Sequence, residues 1–242
     1  MLHKITDKIY IMPPYDKTDR PALGLVCGDK FSLVIDSGIS PKHAREFLNE
    51  CSQVNSSPLK YLILTHHHYD HIIGISEMNL LTITHEKIEE EIRRIRSYRW
   101  DDSSLAQYVE KGIMPQFGAD CIKAENEDRE NLSIGAVDLT FTDSVTIDLG
   151  GITCDIKVIE NSHVEGSVVI YVPEKKVLFL GDCVYGGTFN GVYGYHKDKY
   201  EKLKASVSAY DAEYYIISHE EVHDKKMMEE LWTEIEKEAT WH

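Results

Sequence analysis

Short apolar runs separated by polar turns dominate the first part of the chain. Apolar side chains are concentrated in residues 8–12, 22–27 and 31–35, and a Gly-Asp-Lys turn at residues 28–30 separates the last two runs. Runs of this length that end at turn residues are typical of short β-strands. We therefore predict a β-meander near the amino terminus.

The next pattern has a helical period. Ala44, Phe47 and Cys51 recur at the three- and four-residue spacing that places side chains on one face of a helix. Ser40 and Pro41 precede them as an N-cap and a first-turn proline. We predict that this helix covers one face of the sheet.

A second amphipathic helix is predicted within residues 85–98. Ile88, Ile92 and Ile95 form its apolar stripe, and charged residues occupy the other positions. The sequence from there to about residue 130 follows no regular period, so its secondary structure is the least predictable of the chain.

The second half of the chain returns to strands and closes with helices. One helix is expected at the apolar stripe of residues 200–210, and another after the N-cap candidate Asp224. Strands flanked by helices in both halves predict an α/β sandwich with its helices outside. The predicted strands are residues 137–142, 145–149, 152–159, 168–172 and 177–180.

The polar loop after the apolar run 59–64 holds four potential metal ligands, which are His66, His68, Asp70 and His71. Because side chains alternate in an extended chain, we expect His66, His68 and Asp70 to face one way. His71 would then turn toward a second ion. A surface histidine cluster is the alternative, but close cationic imidazoles repel each other unless they are neutral and share a cation.

This His-x-His-x-Asp-His sequence resembles the signature of the metallo-β-lactamase superfamily. Three later segments are similar to family segments in the family's order: a loop with His163, a strand that ends at Asp182, and a last strand that ends at His219. Asp36 matches a family aspartate that is not a ligand, and we expect it to orient a ligand loop through backbone hydrogen bonds. The resemblance extends from residue 8 to about residue 220.

The resemblance implies a four-layer αββα sandwich in a single domain, residues 1–242, with a helical cap inserted at residues 85–131. It also implies two divalent metal ions. Zinc is the expected ion, with iron or manganese as alternatives, because imidazole and carboxylate ligands do not select strongly among them. The implied ligands are His66, His68 and His163 for one ion, Asp70, His71 and His219 for the other, and Asp182 as the bridge.

Two ions roughly 3.5–4 Å apart can share a hydroxide that is available at neutral pH. The resemblance therefore implies a dinuclear hydrolase of a small ester, thioester, lactone or amide, similar to glyoxalase II and the lactonases, in which Asp70 also orients water. Tyr185 matches a tyrosine of lactone-hydrolysing relatives that points at the substrate carbonyl, although a tyrosine packed in the pocket wall is equally compatible. A phosphodiesterase for a small phosphodiester and a non-catalytic metal-bound sensor or interaction protein are the alternative functions.

Composition limits the classes of binding partner and the cellular compartment that we expect for this protein. The formal charge of −15, from 26 basic and 41 acidic residues, would repel phosphate backbones and anionic membranes. We therefore expect a small-molecule substrate, with no nucleic acid and no membrane as partner. Five cysteines without paired spacing favour reduced thiols, and residues 1–8 carry charges where a signal peptide needs its apolar segment. A soluble cytoplasmic protein is expected.

Overall fold

The computed structural model describes residues 1–54 and 56–242, and most of its strands belong to two sheets. In the first sheet, neighbouring strands pair antiparallel from β1 to β4 and parallel from β4 to β7. Its strands lie side by side in chain order: β1 (His3–Lys4), β2 (Ile9–Met12), β3 (Leu23–Cys27), β4 (Ser32–Ile35), β5 (Leu59–Ile63), β6 (Leu81–His85) and β7 (Leu139–Phe141).

The remaining strands come from the second half of the chain. They are β8 (Ser144–Asp148), β9 (Thr153–Val158), β10 (Val168–Val172), β11 (Val177–Gly181), β12 (Gly187–Phe189), β13 (Val192–Gly194) and β14 (Tyr214–Ile217). The second sheet has the order β14-β11-β10-β9-β8, and β12 pairs with β13 as a separate hairpin. The β11–β14 pair is parallel, whereas the other pairs of the second sheet are antiparallel.

Eight α-helices connect or flank the strands in the described part of the chain. The predicted N-cap Asp224 is confirmed, since its side chain accepts a hydrogen bond from the Met227 backbone N–H. The helices are α1 (Pro41–Val54), α2 (Tyr69–Ile72), α3 (Ile75–Met78), α4 (Glu86–Ile95), α5 (Asp102–Glu110), α6 (Gln116–Glu125), α7 (Lys197–Ser208) and α8 (Lys225–Glu238). None of the helices in the described ranges is both long enough and apolar enough to cross a membrane.

Alternation along the strands divides the apolar side chains among three buried layers. In β4, Leu33 and Ile35 point into the layer between the sheets, while Val34 points to the helices outside the first sheet. In β11, Phe179 belongs to the layer between the sheets and Leu178 to the layer under α7 and α8. The fold is thus the predicted four-layer αββα sandwich, with helices on both outer faces.

The outer layers confirm the predicted helical stripes. Ala44, Phe47 and Cys51 of α1 are each fully buried against the first sheet. On the other side, Leu203 of α7 and Trp232 of α8 pack against the second sheet. Burial of these stripes supplies the hydrophobic free energy that fixes both helix layers to the sheets.

The segment after β5 contains one strand that the apolar pattern does not predict, which is β6. The helix predicted within residues 85–98 is confirmed as α4, with Ile88, Ile92 and Ile95 buried. The segment without a regular period contains two further short helices, α5 and α6. Leu105 is the one buried residue of α5, and three of the four buried residues of α6 are the small residues Gly118, Ala119 and Cys121, so neither helix shows a clear stripe of large apolar residues.

Candidate metal centre

The predicted ligands lie in loops and in the short helix α2, next to strand ends where the two sheets meet at one edge of the sandwich. The loop after β5 leads through His66 and His68 into α2, which contains Asp70 and His71. The second sheet supplies the other three: His163 from the β9–β10 loop, Asp182 directly after β11, and His219 shortly after β14.

The structure brings all seven side chains together in two groups. The ligand atoms within each group lie within 4.8 Å of one another, and Asp182 belongs to both. The first group is His66, His68, His163 and Asp182, and the second is Asp70, His71, Asp182 and His219. This is the division that the resemblance implies, and the assignment of these residues as ligands stays a prediction.

In the first group, three imidazole nitrogens converge on one carboxylate oxygen. His163 Nε2 lies 3.0 Å from His68 Nδ1 and 3.6 Å from Asp182 Oδ2. His66 Nε2 lies 3.7 Å from the same Asp182 oxygen. Three imidazoles and one carboxylate are a donor set that suits zinc and other divalent transition metals.

In the second group, two histidines contact both carboxylates. Asp70 Oδ2 lies 3.0 Å from His71 Nε2 and 3.2 Å from His219 Nε2. Asp182 is 3.5 Å from His71 Nε2 through Oδ1 and 3.6 Å from His219 Nε2 through Oδ2. The expectation that Asp70 faces the same way as His66 and His68 was wrong, because the chain leaves the extended conformation after His68 and enters α2.

Asp36 supports one histidine of each group from behind. Its Oδ1 accepts a 2.8 Å hydrogen bond from the Thr65 backbone N–H, and its Oδ2 accepts 2.8 Å bonds from Thr65 Oγ1 and His71 Nδ1. Thr65 Oγ1 in turn lies 3.1 Å from His66 Nδ1. The bond from the Thr65 N–H is the predicted backbone hydrogen bond to the ligand loop. The side-chain bonds, which were not predicted, occupy the Nδ1 atoms and leave the Nε2 atoms facing the centre.

The His163 loop is also held by hydrogen bonds. The His163 Nδ1–H donates to the Gly186 carbonyl at 2.9 Å, which leaves Nε2 toward the centre. Asn161 Oδ1 accepts from the backbone N–H groups of His163 at 2.8 Å and of Val164 at 2.9 Å. A ligand imidazole with its second nitrogen bonded in this way has a fixed orientation.

Asp19 is a residue of the site that sequence reasoning missed. It accepts a 2.6 Å hydrogen bond from the Tyr69 hydroxyl, and its Oδ1 lies 3.8 Å from His219 Nδ1. Burial and the nearby Asp70 carboxylate raise the pKa of Asp19. Asp19 lies in a loop without a motif, and only the long-range contacts of the fold bring it to the centre.

The buried polar atoms of the site fit a bound cation. His66 Nε2, His71 Nε2 and Asp182 Oδ1 are buried, and despite their short contacts none of them makes a hydrogen bond of acceptable geometry among the described residues. Such atoms are costly in a protein interior unless they bind something. All three point into the two groups, so divalent ions at these positions would satisfy them.

The pKa values of the site fall into two classes. Burial lowers the pKa of His66 well below its usual value and that of His68 to about 3, so both imidazoles are neutral, as metal ligands must be. Burial would also lower the pKa of His219, but the Asp182 and Asp70 carboxylates raise it to about 10. A cation bound here would compete with that proton for the same carboxylates.

Tyr185 lies beside the centre, between its two groups. Its ring centroid is 6.2 Å from that of His163 and 6.3 Å from that of His219. Its hydroxyl is 3.4 Å from Glu220 Oε1. Burial and the charges of Asp182 and Glu220 raise the pKa of this phenol, which keeps it protonated and able to donate.

A cavity of about 910 Å³ opens above the centre. Its floor includes His68, Asp70, His163, Asp182 and His219. The segment that contains α4, α5 and α6 forms one wall, and residues of the β12–β13 hairpin also line the cavity. The cavity therefore gives a small molecule direct access to the candidate ligands.

Comparison with known families and proteins supports this arrangement. The family model described as the metallo-beta-lactamase superfamily matches residues 22–219, which include every candidate ligand. The linear primary-alkylsulfatase of Pseudomonas sp. is 22% identical over 202 residues, which cover 74% of this chain and 36% of the alkylsulfatase. The human acyl-coenzyme A thioesterase MBLAC2 is 23% identical over 186 residues, which cover 72% of this chain and 62% of the thioesterase. The chain thus spans only part of the length of either relative.

Solved structures show the same fold over nearly the whole chain. A metallo-beta-lactamase from Pontibacter korlensis superposes with a TM-score of 0.67 at 18% identity, covering 98% of this chain and 99% of that protein. A metallo-beta-lactamase from Erythrobacter litoralis gives a TM-score of 0.64 at 14% identity, with coverage of 98% and 96%. Likeness at these identities concerns the fold alone.

Proposed function

The chain belongs to the metallo-beta-lactamase superfamily, and from that membership we propose that it is a dinuclear metal-dependent hydrolase of a small ester, thioester, lactone or amide. One observation carries the proposal: seven His and Asp side chains converge in two groups that share Asp182. The two groups share one carboxylate and line an open cavity, so a substrate could reach ions bound there, as a catalytic pair of ions requires.

The proposed ligands are those of the two groups, with Asp182 as the bridge. Support comes from the buried, unpartnered atoms His66 Nε2, His71 Nε2 and Asp182 Oδ1. Zinc is the proposed ion, and iron or manganese would be held by the same donors. When bound, the ions would supply Lewis acidity and lower the pKa of coordinated water toward neutrality.

The protein's own residues would position the reactants and hold protons. Asp70 is buried and ionised, because His71 and His219 lower its pKa despite the opposing effect of burial. We assign it the double role of ligand and water-orienting group, with a carboxylate oxygen that accepts a hydrogen bond from the attacking water. Asp36 keeps His71 in the tautomer whose Nε2 is free.

Tyr185 is the proposed donor to the developing oxyanion. Its protonated phenol lies beside both groups, and the 3.4 Å contact to Glu220 is long enough to be exchanged for a stronger bond to a substrate oxygen. The competing assignment, a tyrosine packed in the pocket wall, predicts no specific effect of removing the hydroxyl. A Tyr185→Phe variant separates the two.

The named relatives rank the candidate substrates. The human relative is an acyl-coenzyme A thioesterase, which favours a thioester among the four carbonyl classes. The Pseudomonas relative is an alkylsulfatase, which makes an alkyl sulfate ester a second candidate. Both relatives are much longer than the matched region, so their activities are proposals for this chain.

The proposed partner is a small molecule, and the proposed compartment is the cytoplasm. The net charge of −15 disfavours polyanionic partners, and all five cysteines are free thiols, in keeping with a reducing compartment. We further propose that residues 1–242 form a single domain in which residues 85–131 are an inserted cap over the centre. The contribution of this segment to the cavity wall supports that role.

Metal analysis and a substrate panel test the proposal. Protein purified without chelator should contain about two transition-metal equivalents per chain, because deprotonated His and Asp donors favour binding. The metal-analysed protein is then assayed with an ester, a thioester, a lactone, an amide, an alkyl sulfate and a phosphodiester. No metal, and no uptake of zinc, manganese or iron, would rule out the proposed centre. Two bound ions without turnover on any substrate would favour the sensor alternative.

A further inference from the structure

The cavity above the centre has a polar floor and one largely apolar wall. The wall comes from the segment that runs from α4 to the start of α6, whereas the floor carries the candidate ligands. The apolar side chains of this wall are Ile95, Trp100, Val109, Ile113, Met114 and Phe117. An apolar surface beside a catalytic floor binds the part of a substrate that does not react.

The polar groups on this wall are already paired within the segment. The Arg94 guanidinium contacts Glu91 Oε2 at 2.5 and 2.9 Å and also donates to the Tyr98 hydroxyl. Gln116 Nε2 donates to Asp120 at 2.8 Å. Arg94 is the one cation on the described part of this wall, and Glu91 balances its charge. The wall therefore presents no unbalanced charge with which a charged ligand could pair.

Exposure changes along the wall from the inside to the rim. Ile95, Trp100 and Met114 are at most 9% exposed and belong to the core under the first helix layer. Ile113 and Phe117 are 46% and 52% exposed at the rim. The wall is thus anchored in the core and presents its outer apolar side chains to whatever enters the cavity.

We propose that this apolar wall binds an unbranched, uncharged acyl chain of the substrate while the carbonyl to be hydrolysed lies over the His and Asp floor. This inference rests on the proposed hydrolase function and adds the substrate class. Hydrolysis would join the oxygen of water to the acyl carbon, break the bond to the leaving sulfur or oxygen, and give the leaving group a proton. The cavity volume of about 910 Å³ leaves room for a chain beyond the reacting group.

A chain-length series tests the proposal. Acyl thioesters of N-acetylcysteamine have a small neutral leaving group, so the acyl chain from two to twelve carbons is the only variable. With the metal-loaded protein, kcat/KM should rise about fourfold for each added methylene until the wall is covered. A value of kcat/KM that is flat or falls with chain length would overturn the proposal, as would a phenylacetyl thioester that is better than the octanoyl thioester.

A matched pair of variants tests where the acyl chain of the substrate binds. Phe117→Ser removes a 52% exposed side chain of the wall, and Leu139→Ser removes an equally exposed side chain on β7, outside the cavity. Phe117→Ser should lower the ratio of kcat/KM for the decanoyl thioester to that for the acetyl thioester by about tenfold or more. Leu139→Ser should leave the wild-type ratio. Equal ratios in the wild type and both variants would overturn the assignment of Phe117 to the chain site.

A binding experiment separates failure of this inference from failure of the hydrolase proposal. The dissociation constants of 1-hexanol, 1-octanol and 1-decanol are measured by calorimetry on metal-loaded protein, since alkanols carry the chain without a hydrolysable bond. If no thioester and no other substrate of the panel is cleaved, but Kd falls about fourfold per methylene and Phe117→Ser weakens binding, the chain site stands and the hydrolase proposal fails. If the acetyl thioester is cleaved while neither kcat/KM nor Kd depends on chain length, the chain site is wrong and the hydrolase proposal stands.

Discussion

Replacing Asp36 by Asn would exchange one buried oxygen for an amino group and leave the size of the side chain unchanged. Asp36 is 1% exposed and has a φ of 59°, in the left-handed region that Asn tolerates as well as Asp does. The backbone should therefore keep its conformation. The perturbation is confined to the three hydrogen bonds that the carboxylate accepts from Thr65 and His71.

The size of the effect follows from where the new amino group points. If it replaces Oδ2, it faces His71 Nδ1–H, and His71 must move its proton to Nε2, the atom that would bind the ion. If it replaces Oδ1, the buried Thr65 N–H loses its acceptor, which costs about 1–3 kcal/mol. Either orientation weakens the centre, and loss of such a supporting carboxylate typically lowers metal affinity by about 10–100-fold. That corresponds to about 1.4–2.7 kcal/mol.

Competition with a chromophoric chelator measures the change directly. The zinc dissociation constant of Asp36→Asn is compared with that of the wild type at equal protein concentration, and urea unfolding of both metal-free proteins reports the folding contribution. Asp29→Asn is the control, because Asp29 is an exposed carboxylate paired with Lys8 and lies far from any candidate ligand in the sequence. An Asp36→Asn protein that binds zinc as tightly as the Asp29→Asn protein would refute the tautomer argument.

Three further predictions concern turnover and stability. Asp70→Ala should abolish hydrolysis yet keep a cooperative urea transition, because the Asp70 carboxylate contacts His71 and His219 of the centre and adds no apolar packing to the core. Near-wild-type turnover with full metal content would exclude the proposed role of Asp70. Tyr185→Phe should lower kcat by about 10–1000-fold on an accepted carbonyl substrate with little change in KM, and an unchanged kcat would assign Tyr185 to the pocket wall. Burial would raise the pKa of Glu125, but hydrogen bonds from Arg20 and Thr18 lower this pKa below the usual value of 4.5. The ionised Glu125 therefore stabilises the fold at neutral pH, and this stabilisation is lost as the pH falls through the lowered pKa. Glu125→Gln should therefore reduce the free energy of unfolding by about 1–2 kcal/mol at pH 7 and much less at pH 3, as measured by urea titration at both pH values.

The strands and the ligand loop were predictable because their patterns are local. Short continuous apolar runs mark β4 and β11, and the spacing of His66 to His71 identifies the ligand loop without knowledge of the fold. β6 was missed because buried threonines weaken its pattern: Thr82 and Thr84 are almost fully buried, and Thr84 Oγ1 donates to the Leu64 carbonyl. From the local sequence alone, a buried polar side chain that is hydrogen-bonded to a neighbouring segment cannot be distinguished from an exposed polar side chain.

The surroundings of the centre could not be predicted for a related reason. Asp19 reaches the site through Tyr69, a contact between residues 50 positions apart, and no motif marks either residue as part of a pair. The apolar wall of the cavity combines short helices whose side chains are partly buried in the core and partly exposed at the rim. Such roles depend on how the elements pack, which local periodicity does not encode.

Each group of candidate ligands is divided equally between the two halves of the chain. His66 and His68 complete one group only with His163 and Asp182, and Asp70 and His71 complete the other only with second-sheet residues. Neither half alone can assemble a full coordination set, so bound ions would link the two sheets where they meet. By thermodynamic linkage, any ion that binds only the docked state stabilises that state by RT ln(1 + [M]/Kd). Metal affinity would then depend on how stably the two halves of the sandwich pack together, including packing at residues far from every ligand.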